Sequence, residues 1–278
     1  MCEWCEKYGD GYERWYFNPA NYARRLYKIR KEEAEALGAE ADPQAAGGMT
    51  FVGQDFLEAR ERGDVATVEQ MKQQVEGISW ITHFGQVLTL EEALKIVDIM
   101  YPIGLMTCAC RRSMQGLPDE ENFTCMGMGT GMYKWERWPD TYRGGVHFLT
   151  PDESKEVLAK LNKRGLVHTV FTFGTPYLAG LCNCDYPDCA AIRTVVDLGI
   201  RVLWKGHYVA KIDPELCNGC ASCVHRCQFR ALSFSPSKNK AIIDQFQCFG
   251  CGLCATECDQ DAITMVERAN LPALANVW

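Results

Sequence analysis

Residues 208–267 read YVAKIDPELCNGCASCVHRCQFRALSFSPSKNKAIIDQFQCFGCGLCATECDQDAITMVE and hold eight of the chain's sixteen cysteines. Cys217, Cys220, Cys223 and Cys227 make one CxxCxxCxxxC run, and Cys248, Cys251, Cys254 and Cys258 repeat it 31 residues later. The offset extends beyond sulfur, since Ala231-Leu232-Ser233-Phe234 returns as Ala262-Ile263-Thr264-Met265. Each copy reads as a cysteine loop, a short helix and a strand. Thiolates at spacing two wrap one face of a metal centre, and a duplicated four-cysteine run gives eight such ligands. A pair of zinc knuckles uses the same residue type with less demand on the repeat.

Over about the last 70 residues these motifs resemble the bacterial two-cluster [4Fe–4S] ferredoxins. The resemblance implies two cubanes with exchanged fourth ligands: Cys217, Cys220, Cys223 and Cys258 for one, and Cys248, Cys251, Cys254 and Cys227 for the other. It also implies low reduction potentials and one-electron chemistry. The sequence departs from the family where proline usually follows each fourth cysteine, because Gln228 and Asp259 stand there.

The chain has 278 residues, so residues 1–204 must form a core of their own beside a module at 205–278. The expected class is α+β: a cysteine-rich N-terminal domain of mixed helices and strands, followed by the two-cluster module. Of 29 basic and 36 acidic residues, seven of each lie in 205–278, so the net charge of −7 belongs to the N-terminal part. That balance argues against nucleic acid as a partner, which demands a basic surface to neutralise phosphates. No run of apolar residues is long enough for a transmembrane segment, and the first residues lack the apolar stretch of an export signal. A cytoplasmic location, with thiols kept for iron rather than for disulfides, is the expectation.

Eight cysteines remain. Cys2 and Cys5 form a single CxxC, which is half a metal site or a pair of free thiols. Cys108, Cys110, Cys125, Cys182, Cys184 and Cys189 occur in CxCR, a glycine-rich FTCMGMGTGMYKW stretch, CNC and a further Cys. Met106, Met114, Met126, Met128 and Met132 surround the first three. GMGTG also allows a nucleotide cradle, but it lacks the GxGxxG spacing. One or two further [4Fe–4S] clusters account for the pattern, and eight thiols suffice for two. The CxCR and CNC combination is similar to iron–sulfur proteins of anaerobic metabolism whose roles are poorly defined.

Along the chain, Asn18-Pro19 caps an expected helix to Gly38, with a basic run at Arg24, Arg25, Lys28, Arg30 and Lys31 suited to an acidic partner or to a solvated face. ADPQAAGG at 41–48 reads as a connection. A helix is expected from Gln54 to Val75 with a break at Gly63, and ITHFGQVL, containing an ordinary partly buried His83, as a bridge. Thr89 and Thr150 each open a capping box on a helix. An extended run follows each helix, and then a CxC pair on a loop, which makes a weak internal repeat. The expected function is electron relay between a low-potential donor and a redox partner protein, such as an oxidoreductase complex. The rival is reduction of a small molecule at an N-terminal cluster, with Arg111, Arg112, His147, His168, Asp185 and Tyr186 available for substrate. A third reading, a redox-responsive or scaffolding subunit, rests on the winged-helix-like ESKEVLAKLNKRGLVHTV.

Overall fold

The computed structural model describes residues 2–23, 54–115, 122–132, 145–173 and 177–278. The basic run at 24–31, the rest of the helix expected to Gly38 and the connection at 41–48 lie outside these residues, as do 133–144.

The first described segments are α1 (Glu3–Tyr8) and two 3-10 turns, Trp15–Phe17 and Pro19–Tyr22, the second capped by the Asn18 side chain on the Ala20 amide. The helix expected at Gln54–Val75 is two: α2 (Gln54–Glu61) and α3 (Val65–Thr82). Gly63 takes a φ of +70°, and Asp64 then caps α3 by accepting from the Thr67 amide, which starts a new helix. The α3 helix runs past Val75 and stops at His83, whose φ is +44°.

The stretch read as a bridge contains strand β1 (Gly85–Leu88), every residue of which is buried. With both faces covered it shows no alternation of polar and apolar residues, so its sequence carries no strand signature. Next come α4 (Leu90–Ile99), β2 (Ile103–Thr107), α5 (Ala109–Gln115) and β3 (Phe123–Met128). A second round gives β4 (Val146–Leu149), α6 (Pro151–Arg164), β5 (Val167–Phe171), β6 (Gly180–Cys184) and α7 (Ala190–Leu198). Both capping boxes form: the Thr89 hydroxyl accepts from the Glu92 amide and Thr150 from Glu153, while each glutamate accepts the threonine amide.

These six strands form one antiparallel sheet in the order β1-β5-β6-β3-β2-β4. The order is unchanged when β1, β2 and β3 are exchanged with β4, β5 and β6 and the sheet is read from its other edge. Two strand–helix–strand–strand units, the first with α5 inserted before its last strand, are therefore related by an approximate two-fold axis between β3 and β6, where Cys125 faces Cys182. Each unit gives its first strand to the outer edge of the other. The caps at Thr89 and Thr150 mark the same place in both units.

Residues alternate between the two faces of the sheet. Leu88, Ile103, Met126, Val170 and Leu181 point to one side and pack with Ala93, Ile96 and Val97 of α4 and Leu158 of α6. Val87, Val167, Phe171 and Cys184 point to the other and pack with Phe56 of α2, Val68 and Met71 of α3, and Ile192 of α7.

The C-terminal region consists of β7 (Tyr208–Ile212), α8 (Ser222–Arg226), β8 (Leu232–Ser235), β9 (Lys240–Ile243), α9 (Leu253–Thr256) and β10 (Ile263–Glu267). Its first and last strands pair, Tyr208 with Glu267, and β8 and β9 make a hairpin. The 31-residue repeat reappears in the backbone. Gly219 and Gly250, Ala221 and Gly252, and Arg230 and Asp261 all take positive φ. At Gly250 a side chain is excluded outright, since a Cβ would lie 2.1 Å from the Tyr208 carbonyl oxygen.

Candidate metal centres

In the C-terminal region two cavities have separate cysteine linings. Cys217, Cys220, Cys223 and Cys258 line one, and Cys227, Cys248, Cys251 and Cys254 line the other. The fourth cysteine of each run thus sits with the first three of the other, because α8 and α9 lie side by side and carry the chain across. Backbone amides approach the sulfurs, as where Ala231 N lies 3.3 Å from Cys227 Sγ. Burial pushes the Cys251 thiol up to about 12, and burial raises Cys223, Cys248 and Cys254 as well. Thiols that resist ionisation in an apolar pocket need a cationic centre to become thiolates. The donor set and its environment fit iron–sulfur clusters.

Residues 216–263 match the family model of the 4Fe-4S dicluster domain. The match covers the eight cysteines of the double run and leaves the six-stranded sheet outside it. No curated protein matches the chain.

The six middle cysteines come together on the face of the sheet that packs on α3 and α7. Cys125 and Cys182 are cross-strand partners on the two-fold axis, their sulfurs 4.0 Å apart. Cys108 follows β2, and its thiol interacts with those of Cys110, Cys125 and Cys184, while Cys184 also meets Cys189. Cys182 and Cys184 are in strand β6 and not on a loop, so the alternation of the strand aims both at one face. Contact with Cys108, with burial adding to it, pushes Cys110, Cys125 and Cys184 well up; Cys108, stabilised by those neighbours, is held well below the usual thiol value. Cys108, Cys184 and Cys189 are buried within the apolar cluster.

Arg111 fastens this site. It is buried, pairs with Asp185, and lies 3.3 Å from Asp188, so one guanidinium ties α5 to the loop before α7. The Arg111 amide lies 3.5 Å from Cys108 Sγ, and the Ala190 amide, at the start of α7, bonds Cys110. An all-sulfur donor set with amides and a cation at its edge suits a cluster of net negative charge. Asp188 escaped sequence reasoning, because DYPDC offers no spacing that marks it.

His168 is elsewhere. It lies on the opposite face of the sheet, where its Nδ1 is 2.6 Å from Asn183 Oδ1 and its Nε2 is 3.2 Å from Asn162 Nδ2. Asn183 donates its own amide nitrogen to the Thr124 carbonyl at 2.7 Å, so its oxygen faces the ring. The imidazole is therefore neutral with the proton on Nδ1. Burial lowers its pKa from 6.5 to about 4. His147 is exposed on the edge strand β4, and Tyr186 donates its hydroxyl to Asp197 at 3.1 Å.

The six-cysteine site and the second cavity share one apolar cluster. Cys108, Cys184, Cys189, Phe229 and Leu253 belong to it, with Phe249 and Cys251 packed alongside, and the Phe229 and Phe249 rings stack at 4.1 Å. Gln228, standing where the ferredoxin family has proline, accepts from the Tyr186 amide at 2.9 Å and donates to the Gly165 carbonyl at 3.2 Å. Proline has neither group, so the departure adds two hydrogen bonds between the two regions.

Cys2 and Cys5 stand apart from the six. Their sulfurs, 3.3 Å from each other, lie 4.0 and 3.5 Å from Nε2 of His207. His207 was not singled out from sequence, where WKGHY shows a single histidine with no partner at metal-ligand spacing. Among the described residues, no helix is long and apolar enough to cross a membrane.

Proposed function

We propose that the protein is an electron relay with three iron–sulfur centres. Two [4Fe–4S] clusters are held crosswise by Cys217, Cys220, Cys223 and Cys258 and by Cys248, Cys251, Cys254 and Cys227. A third is held by four of the six cysteines 108, 110, 125, 182, 184 and 189. In this reading residues 1–204 form the domain of the third cluster and residues 205–278 the two-cluster domain. When bound, the clusters supply one-electron chemistry. The chain supplies the thiolates, the amides that stabilise their charge, and an apolar shell that excludes water.

The observation that carries this proposal is that Phe229, Phe249 and Cys251 belong to the same apolar cluster as Cys108, Cys184 and Cys189. The lining of the second cysteine cavity and the six-cysteine site therefore share one apolar wall. At the other end Cys220 is exposed, with exposed Leu216 close by in the chain. That edge suits electron exchange with a redox partner protein such as an oxidoreductase, in a cytoplasmic or otherwise reducing setting.

The alternative, reduction of a small molecule, receives less support. Arg111 is engaged by two carboxylates, and His168 is on the far face between two asparagines. An EPR-monitored redox titration of the anaerobically purified full chain tests the relay. The expected result is several reducible [4Fe–4S] signals at low potential, broadened by spin interaction between neighbours. A chain that shows no reducible cubane after anaerobic reconstitution contradicts it.

A further inference from the structure

Cys2, Cys5 and His207 bring two sulfurs and one ring nitrogen within 4.8 Å of one another. A tetrahedral zinc ion with Zn–S near 2.3 Å and Zn–N near 2.0–2.1 Å sets its ligand atoms at edges of about 3.8 Å for S to S and about 3.6 Å for S to N. The S to N separations here, 4.0 and 3.5 Å, bracket their edge, and the S to S separation of 3.3 Å lies about 0.5 Å inside its edge. All three residues are buried, at 1, 4 and 3% exposure.

The surroundings prepare the ligands. Cys2 caps α1 and Cys5 lies one turn on, so the helix presents both sulfurs on one side. Gln86 accepts from Trp15 Nε1 at 2.8 Å, meets His83 Nε2 at 3.0 Å through the same oxygen, and donates to the Lys205 carbonyl at 3.2 Å. Its amide nitrogen is thereby turned toward His207 Nε2, 3.5 Å away, so that ring nitrogen carries a lone pair and no proton, and an ion on the sulfur side would take this lone pair in place of the long Gln86 contact. Tyr16 and Trp278 pack on the His207 ring, at 5.9 and 5.1 Å between centroids, and complete an apolar wall.

We infer that Cys2, Cys5 and His207 bind a single zinc-class divalent ion, separate from the iron–sulfur centres, with the fourth position left to water or another small ligand. The borderline-soft donor set of two thiolates and one imidazole selects zinc over magnesium or calcium. The ion joins the first helix to the start of β7. From there the His207 carbonyl accepts the Arg268 amide at 2.7 Å, and the Arg268 guanidinium donates to the Cys248 carbonyl at 2.8 Å. The N-terminus is thus clamped to the strand that supports the second cysteine cavity.

Zinc and iron content together with zinc-edge X-ray absorption on the full chain, purified anaerobically, tests this without any substitution. The expected result is about one zinc per chain with two sulfurs and at least one nitrogen as ligands. The Cys2→Ser/Cys5→Ser double variant then loses zinc at least tenfold and keeps its iron, and His207→Cys keeps zinc with a shell of three sulfurs. A wild-type chain without zinc, whether its Cys2 and Cys5 are free or joined as a disulfide, overturns the inference. A zinc shell of four sulfurs, or loss of about four irons in the double variant, overturns it too by giving the metal to another site or these thiols to a cluster.

Discussion

At the residue scale, His168 shows how burial and two asparagines settle a protonation state. The folded pKa of about 4 lies below the usual 6.5, so the unfolded chain binds the extra proton first as pH falls. The contribution is fully present above pH 6.5 and is lost as pH drops toward 4, and the shift corresponds to roughly 3 kcal/mol. We expect the stability advantage of the wild type over His168→Asn to widen as pH rises from 5 to 7, measured by thermal unfolding; an advantage independent of pH would contradict the neutral buried ring. Gln228 makes a second residue-scale case. Gln228→Pro restores the usual ferredoxin residue but removes the bonds to Tyr186 and Gly165, at an expected cost of about 1–3 kcal/mol. A lower melting temperature checks it, and a stabilised variant would show that these bonds are unimportant.

Among the elements, the two capping boxes look alike in sequence and differ in context. Thr150 and Glu153 form theirs on the surface, so Thr150→Ala is expected to cost about 1 kcal/mol. Glu92 is buried and also accepts the Tyr16 hydroxyl at 2.7 Å, with Arg14 at 3.9 Å. Glu92→Ala is expected to cost about 3 kcal/mol or more, since it leaves a buried hydroxyl and weakens a buried ion pair. Denaturant unfolding of both variants distinguishes the two, and equal losses would contradict the buried network.

The capped helices were legible because Thr-x-x-Glu is a local signal, and the double cysteine run was legible because repeat and spacing are both written in order. Strand β1 was not, for GQVL is too short and too uniformly buried to alternate. Nor did the sequence reveal that Cys125 faces Cys182, which depends on β3 and β6 pairing across the two-fold axis. His207 illustrates the same limit: it joins Cys2 and Cys5 only through tertiary contacts between residues about 200 apart.

On the scale of the whole molecule, the sheet and the C-terminal region are held together at several points. Arg14 pairs with Glu267 at 2.7 Å, Arg226 donates to the Lys163 carbonyl at 2.5 Å, and the Phe229 and Phe249 stack fills the space beside the six-cysteine site. Phe229→Ala should therefore leave the iron content unchanged while costing about 3–5 kcal/mol, read from denaturant unfolding of the anaerobic chain. A variant as stable as the wild type would mean that the stack does not hold the two regions together. The proposed three clusters in one chain are tested by counting iron and acid-labile sulfide per chain after anaerobic purification. About twelve of each are expected. About eight of each would confine the clusters to the C-terminal region and contradict a cluster at the six cysteines.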